Sequence, residues 1–289
     1  KDAELSQRLA QIVTDLKIEY DLDQAKTDHF NPDEVEALFR ELEFRSLSIR
    51  LDKLVGTQGS GIKTQGDQLS LFSGPGAQKD VIEQAMKLRT TVVDSNESLK
   101  QLVQTLEHAN QISFDTETTS TDQMQATLVG ISLAVDEDGG FYIPVGHLNP
   151  GEKQLPKREV INAIRRYLEN ESVPKIGHNI KYDAVILARN GIDVKPLSFD
   201  TMIAEWLINP NSRSLGLKNL AWVRLNYKMT EIEQLIGRGK KQRSMADLRI
   251  DEVAEYASDD AVIPLLLKNE LERELEENQV LQLFNNIEM

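Results

Sequence analysis

The residues best suited to chemistry in this chain are carboxylates, and the first pair stands at Asp115 and Glu117, within the stretch Phe-Asp-Thr-Glu-Thr at 114–118. Side chains alternate between the two faces of a strand, so these two carboxylates project to the same side. Two like charges side by side are costly unless a cation neutralises them. Alone, such a pair is most simply a solvated strand end. Whether the pair has a chemical role depends on partner residues elsewhere in the chain.

Two further segments supply candidate partners. Asp183 closes the stretch Gly-His-Asn-Ile-Lys-Tyr-Asp, where a predicted strand gives way to a helix with Asn179 as its expected N-cap. Tyr256 and Asp260 are four residues apart, so they lie on one face of a helix. Each has an ordinary explanation by itself, as an acid in the first helical turn or as a surface pair.

Together these segments give the order Asp115, Glu117, Asp183 and Asp260, with Tyr256 one turn before the last. The chain has no cysteine and only four histidines, which leaves oxygen ligands of the kind that Mg²⁺ or Mn²⁺ prefers. Two such ions about 4 Å apart activate water and stabilise the entering and leaving oxygens in phosphodiester cleavage. The set therefore predicts nuclease chemistry.

Two other aspartates are not assigned as ligands. Asp200 is expected to be the N-cap of the helix that carries Met202. Asp259 points away from Asp260 on a helix, and we expect it to be a solvated charge.

The elements that must position these residues indicate an α/β domain. Hydrophobic patterning predicts helices at 157–170 and 179–190 and more helices towards the end of the chain. It predicts strands at 90–93, 112–115, 127–135, 141–145 and 173–177, and another ending near 199. The closely spaced early strands favour an antiparallel meander, and the later strand and helix alternation favours parallel strands added to it.

Composition excludes several classes of protein. Hydrophobic residues make up 40% of the 289 and charged residues 28%, as in a globular protein with room for two domains. No apolar run approaches the length needed to cross a bilayer, and without cysteine there is no disulfide framework or thiolate zinc site. The net charge of −14 argues against a nonspecific nucleic-acid coat, although a local basic groove remains compatible with it.

The first third of the chain differs from the rest in its predicted structure and composition. Residues 1–55 are predicted to be helical, with Asn31 as a cap and Pro32 in the first turn. Six of the 16 glycines then fall between residues 56 and 78, which predicts a flexible linker.

The ordered motifs resemble the proofreading 3′-5′ exonuclease domain of bacterial DNA polymerase I, a tyrosine-type DEDD exonuclease. They are 114–118, Asn179-x3-Asp183, 199–202 (Phe-Asp-Thr-Met) and Tyr256-x3-Asp260, and segments 215–221 and 237–241 are similar as well. The resemblance runs from about residue 89 to 278. It implies a ribonuclease H-like α/β fold with a mixed sheet, an antiparallel meander plus parallel strands, flanked by helices.

The resemblance also implies roles for the carboxylates. Asp115, Glu117 and Asp260 would hold the tighter of two Mg²⁺ or Mn²⁺ ions. Asp115 and Asp183, the latter largely through water, would organise the second ion. Tyr256, with Glu117, would orient the attacking water.

Contacts to DNA are expected from two groups of residues. Asn179 and Tyr182 would lie near the terminal nucleotides, with a helix cap and a core aromatic as their alternatives. Thr121 and Ile232 stand where relatives often place leucine and phenylalanine against the last base. A glycine-containing loop carries four cations that either follow the phosphates or are merely solvated: Arg238, Lys240, Lys241 and Arg243.

The flanks extend the resemblance to neighbouring domains. Residues 1–55 resemble the end of a 5′ nuclease domain, 56–88 a linker, 89–277 the exonuclease domain, and 278–289 the start of the connection to a polymerase domain outside this chain. The expected partners are a single-stranded or frayed DNA 3′ end and those two domains. We expect a monomer in the bacterial cytoplasm without membrane attachment.

The preferred hypothesis is an editing exonuclease that removes nucleoside monophosphates from DNA 3′ ends. One alternative is a catalytically silent DNA-binding scaffold between the nuclease and polymerase domains. Another is an exoribonuclease of the ribonuclease D type, which would share the chemistry but not the flanks.

Overall fold

The computed structural model describes residues 5–7, 10–12, 21, 30–56, 88–212, 214–239 and 242–289. The chain divides into two compact units, residues 1–80 and 81–289. In the first unit, helices α1 (Pro32–Glu41) and α2 (Arg45–Gly56) follow the predicted cap: the Asn31 side chain accepts from the Asp33 N–H at 3.1 Å. Most of the predicted linker, 57–87, lies outside the described residues.

The second unit is built on a six-stranded sheet with the order β1-β4-β3-β2-β5-β6. Its strands are β1 Arg89–Val92, β2 Ile112–Thr118, β3 Leu128–Ala134, β4 Gly139–Pro144, β5 Lys175–Gly177 and β6 Leu197–Asp200. Strands β2, β3 and β4 form the antiparallel meander, β5 and β6 continue parallel to β2, and β1 pairs parallel with β4. The predicted mixed sheet is confirmed.

Helices flank this sheet, and several begin where the sequence indicates. The Ser95 hydroxyl caps the helix that starts at Asn96, and a single helix of 28 residues, α9, carries both Tyr256 and Asp260. The helices are α3 Asn96–Glu107, α4 Lys157–Leu168, α5 Ile180–Arg189, α6 Thr201–Ile208, α7 Leu217–Leu225, α8 Ile232–Ile236, α9 Ile250–Glu277 and α10 Leu281–Leu283, with a π-helix at Phe284–Glu288. None of the described helices has the length and apolar character that crossing a bilayer requires.

The core holds α9 against the middle of the sheet, where it packs on β2, β3 and β4. One apolar cluster joins the sheet to α3, α4 and α5, and includes Leu102, Ile131 and Ile164. A second joins α6, α7 and α9, and also buries Phe284 against Phe199, with ring centroids 5.0 Å apart. The catalytic candidates on β2 and α9 are thus set by two well-packed elements in direct contact.

Strand β2 is longer than predicted and continues through both candidate carboxylates. Glu117 pairs with Gly130 and Thr118 with Leu128, and the register shifts between these two pairs. Such a bulge bends a strand and redirects the side chain next to it. Thr116 and Glu117 are buried, and at both residues β2 pairs with β3, whereas its pairing with β5 is confined to Ile112 and Ser113.

Candidate active site

Three elements bring the five candidate catalytic residues to one cleft of about 790 Å³. Strand β2 supplies Asp115 and Glu117, the first turn of α5 supplies Asp183, and α9 supplies Tyr256 and Asp260. Since α9 packs directly on β2, residues far apart in sequence become neighbours here.

The carboxylates of Asp115, Glu117 and Asp260 form the tightest part of this site. Each offers an oxygen, and the three oxygens all lie within 4.8 Å of one another. Glu117 Oε1 and Asp260 Oδ1 are buried and accept no hydrogen bond from any residue that the structure describes, although Lys218 Nζ lies 3.7 Å from the Asp260 oxygen. Buried polar atoms are nearly always paired, so these two orphaned oxygens fit a divalent cation with oxygen ligands.

Burial and mutual repulsion raise the pKa values of these carboxyls. Desolvation is the largest cause for each, and for Asp115 the nearby charges of Asp183, Asp260 and Glu117 add to it. The pKa of Glu117 is raised to about 8, chiefly by burial and then by Asp260. The pKa of Asp260 is also raised by burial, against a lowering by Lys218. A bound cation would relieve the repulsion that these shifts record.

Asp183 lies beside these three carboxylates and is held by two hydrogen bonds from Thr116. Its Oδ1 accepts from the Thr116 backbone N–H at 3.0 Å and from the Thr116 hydroxyl at 2.5 Å. Burial raises the pKa of Asp183 to about 7, although both bonds from Thr116 lower it. Asp183 is therefore oriented by β2 itself, next to Asp115.

Tyr256 is 8% exposed, and its ring packs in a small apolar cluster with Val129 and Tyr142. Its hydroxyl accepts from Lys218 Nζ at 3.2 Å. Burial, followed by the charge of Asp260, raises the pKa of the phenol far above its usual value. Tyr256 is thus a neutral hydroxyl donor at the cleft.

Asn179 lies at the N-cap position of α5 as predicted, but a different side chain accepts the capping hydrogen bonds. Asn179 occupies the N-cap position with φ 53°, in the left-handed region, and its side chain makes no capping bond. The Asp200 carboxylate instead accepts from the backbone N–H groups of Asn179 and Ile180, at 3.1 and 2.9 Å. Asp200 also caps α6 as predicted, through the N–H groups of Met202 and Ile203. One carboxylate thus serves two helices, and the Asn179 side chain lines the cleft.

Tyr182 packs against the first core cluster, as the core-aromatic alternative predicts, and it also lies at the cleft, where a DNA contact would require it. The hydroxyl donates to the Ser120 carbonyl at 2.6 Å and lies 2.7 Å from Thr118 Oγ1. Tyr182 therefore holds the loop after β2 at the cleft rim.

The remaining predicted DNA contacts are only partly brought together. Thr121, Ile232 and Arg243 line the cleft, and the Arg243 guanidinium donates to the Leu235 carbonyl at 2.8 Å. Arg238 is exposed and is not among the residues that line it. Lys240 and Lys241 lie outside the described residues.

The structure contradicts the prediction for one residue and brings two residues to the site that the sequence analysis gave no role. Asp259 is not a solvated charge, because it is 5% exposed and accepts from the Tyr227 hydroxyl at 3.0 Å. His178 lines the cleft with Nδ1 2.9 Å from the Thr201 hydroxyl, and burial lowers its pKa to about 4. Lys218 contacts Tyr256 and Asp260; the segment 215–221 drew attention to it without indicating a role.

Comparisons with known proteins relate this chain to bacterial DNA polymerases I. DNA polymerase I of Chloroflexus aurantiacus is 37% identical over 303 residues, which cover 99% of this chain and 31% of that protein. DNA polymerase I of Pseudomonas aeruginosa is 30% identical over 279 residues, covering 96% of this chain and 29% of that one. The chain therefore spans about a third of the length of these relatives.

A solved structure shows the same fold. The POL domain of Pol1 from M. smegmatis, in complex with DNA primer-template and dNTP, superposes with a TM-score of 0.51 at 19% identity. The match covers 68% of this chain and 29% of that chain. The mixed sheet and its flanking helices thus have the fold of the matched part of that structure.

A family model describing the 3′-5′ exonuclease of family A DNA polymerases matches residues 90–276, the stretch that contains every element of the sheet but the first residue of β1. The protein therefore belongs to the 3′-5′ exonuclease domain family of DNA polymerase I.

Proposed function

We propose that this chain is a metal-dependent exonuclease that removes nucleoside monophosphates from DNA 3′ ends and edits for a larger DNA polymerase. The observation that carries this proposal is the group formed by Asp115, Glu117 and Asp260, with two orphaned buried oxygens beside the Tyr256 hydroxyl. Nuclease chemistry explains why a fold would retain buried, mutually repelling carboxylates at the mouth of a cleft.

The proposed ligands divide between two ions, Mg²⁺ or Mn²⁺. Asp115, Glu117 and Asp260 would hold one ion, and Asp115 with Asp183 would hold the other. When bound, such ions supply a Lewis acid for the phosphoryl oxygens and a more acidic water.

The side chains of the cleft have separate tasks in this proposal. Tyr256 and Glu117 orient the attacking water, the phenol as a hydrogen-bond donor and the carboxylate as an acceptor. Thr116 fixes the direction of Asp183 through its two bonds to Oδ1. Burial of this region keeps the water in place and strengthens each electrostatic contact.

The substrate would enter along the rim residues. Asn179, Tyr182, Thr121 and Ile232 are the proposed contacts of the terminal nucleotide, and all four line the cleft. Its volume, about 790 Å³, falls in the range of pockets that enclose small organic ligands. Arg243, and with it Arg238, Lys240 and Lys241, are proposed to contact backbone phosphates.

Residues 1–55, 56–88, 89–277 and 278–289 are proposed to be the end of a 5′ nuclease domain, a linker, the exonuclease domain and the start of the connection to a polymerase domain. Polymerisation by the whole protein, a monomeric state and a place in the bacterial cytoplasm belong to the same proposal. It is supported by the relatives that match nearly all of this chain.

The test is digestion of 5′-labelled single-stranded DNA by the 289-residue chain, with Mg²⁺, with EDTA, and with the Asp183→Ala variant. We expect a ladder that shortens from the 3′ end only with the metal and the intact carboxylate. The absence of a ladder from folded wild-type protein would favour the silent scaffold. A matched RNA degraded faster than the DNA would favour the exoribonuclease.

A further inference from the structure

We propose that Lys218 is a positioning residue for the hydrolytic reaction: it fixes the Tyr256 hydroxyl so that the phenolic proton points toward the carboxylates and the attacking water. The inference rests on the proposed function and assigns a task to a residue outside the ligand set. Lys218 does not line the cleft, so it acts through Tyr256.

Three distances define the arrangement. Lys218 Nζ lies 3.2 Å from Tyr256 Oη, 3.7 Å from Asp260 Oδ1 and 4.3 Å from the centroid of the Tyr256 ring. The ammonium therefore stands over the ring near its oxygen, within the range of a cation–π contact. Its side chain is 18% exposed, so water competes little for these contacts.

The hydrogen bond between Lys218 and Tyr256 has only one possible direction. An ammonium has three donors and no acceptor, so Tyr256 Oη must accept from it. A phenol oxygen that accepts on one side presents its proton on another, and the Asp260 carboxyl, one helical turn further along α9 and 3.7 Å from the same ammonium, is a nearby acceptor toward which that proton can turn. Lys218 thereby removes the rotational freedom that a tyrosine hydroxyl otherwise has.

The position of Lys218 in its helix supports a functional role. It is the second residue of α7, and the first turn of a helix favours acidic residues because of the helix dipole. The dipole of α7 therefore does not account for a cation at this position. The nearby Asp260 carboxylate and the Tyr256 oxygen explain it, since together they form the acceptor set that an ammonium requires.

The experiment is a double-mutant cycle on DNA hydrolysis under saturating Mg²⁺, with Lys218→Met and Tyr256→Phe made singly and together. We expect Lys218→Met to lower kcat about tenfold, the effect of losing one charge-assisted hydrogen bond, with KM little changed. In the Tyr256→Phe background the same change should alter kcat less than about twofold, because the hydroxyl it acts on is gone. Lys218→Arg, which keeps a cationic donor, should recover most of the loss.

A second measurement separates positioning from a structural role. Mn²⁺ titration should show Lys218→Met binding the ion as tightly as wild type or more tightly, because the variant removes a cation that competes for Asp260. Lys100→Met, on the exposed face of α3, is the matched control and should behave as wild type in both assays.

Each remaining outcome decides against the inference. Equal kcat in wild type and Lys218→Met, additive losses in the cycle, or weaker Mn²⁺ binding by Lys218→Met would overturn it while wild-type digestion upholds the proposed function. No digestion by the folded wild-type chain would overturn the proposed function, and this inference with it.

Discussion

Thr116 donates both its backbone N–H and its hydroxyl to the same oxygen of Asp183, at 3.0 and 2.5 Å. Thr116 lies between Asp115 and Glu117 on β2, and its side chain reaches the helix that carries Asp183. The strand therefore presents two carboxylates and orients a third.

Thr116→Val tests this arrangement, because valine keeps the shape and the backbone donor but removes the hydroxyl. We expect the rate of DNA hydrolysis to fall about tenfold, as for the loss of a hydrogen bond to a charged acceptor. Thr105→Val is the matched control, since its hydroxyl bonds only to the Gln101 carbonyl on an exposed helix. Equal rates for Thr116→Val and wild type would contradict a role for this contact.

Tyr256→Phe should slow hydrolysis about tenfold or more while leaving metal binding intact, because the hydroxyl orients water and does not hold the ion. Single-turnover rates and Mn²⁺ titration of the same protein preparation measure the two quantities separately. A loss of Mn²⁺ affinity equal to the loss of rate would show that the phenol is needed to build the metal site.

The stability of the metal-free protein should depend on pH through Glu117. Its folded pKa is raised to about 8, above an unfolded value of about 4, so the folded state holds this proton more tightly. The stabilisation that this proton contributes to the folded state is fully present below about pH 4, and it is lost as the pH rises through about 8. Urea unfolding in EDTA at several pH values measures it.

Glu117→Gln isolates this contribution, because the amide does not titrate. We expect the variant to gain stability relative to wild type between pH 5 and pH 9, both without metal. Glu97→Gln, at an exposed position on α3, is the control and should follow wild type. If the free energy of unfolding of wild type instead rose relative to that of Glu117→Gln as the pH rises, the carboxylate would be favourably paired in the folded state.

Asp200→Ala should lower the free energy of unfolding by about 2 to 4 kcal/mol, because one carboxylate caps the first turns of two helices. It accepts from four backbone N–H groups, two at the start of α5 and two at the start of α6. Asp136→Ala removes a carboxylate that accepts from one N–H in an exposed turn, and should cost far less. Equal midpoints of urea unfolding for the two variants would contradict this account.

Local rules made much of the fold predictable. Caps at Asn31 and Asp200 depend on the residue type and its immediate neighbours, and both lie where the sequence indicates them. The order of strands and helices follows from hydrophobic periodicity, which also gave the mixed sheet.

Long-range contacts account for the errors. Strand β2 was predicted to span 112–115, but it pairs with β3 as far as Thr118, and Thr116 and Glu117 are buried. Asp259 was expected to be solvated, but Tyr227, 32 residues earlier, reaches it. No local pattern reveals such partners.

In the candidate site too, local patterns predicted some residues and long-range contacts determine others. Motif spacing identified the five residues on β2, α5 and α9, and the structure brings them to one cleft. Lys218 was missed because a lone lysine in a helical segment has no distinctive spacing, and its meaning appears only when α7 is placed beside α9.

The helix that carries Tyr256 and Asp260 also contains Pro264, in its buried interior. Proline has no N–H, so the backbone carbonyl four residues earlier, that of Asp260, receives no donor from it. Helices bend most readily where such a backbone hydrogen bond is missing. The residue that turns its carboxylate to the cleft is thus also the residue whose backbone carbonyl lacks its usual donor within the helix.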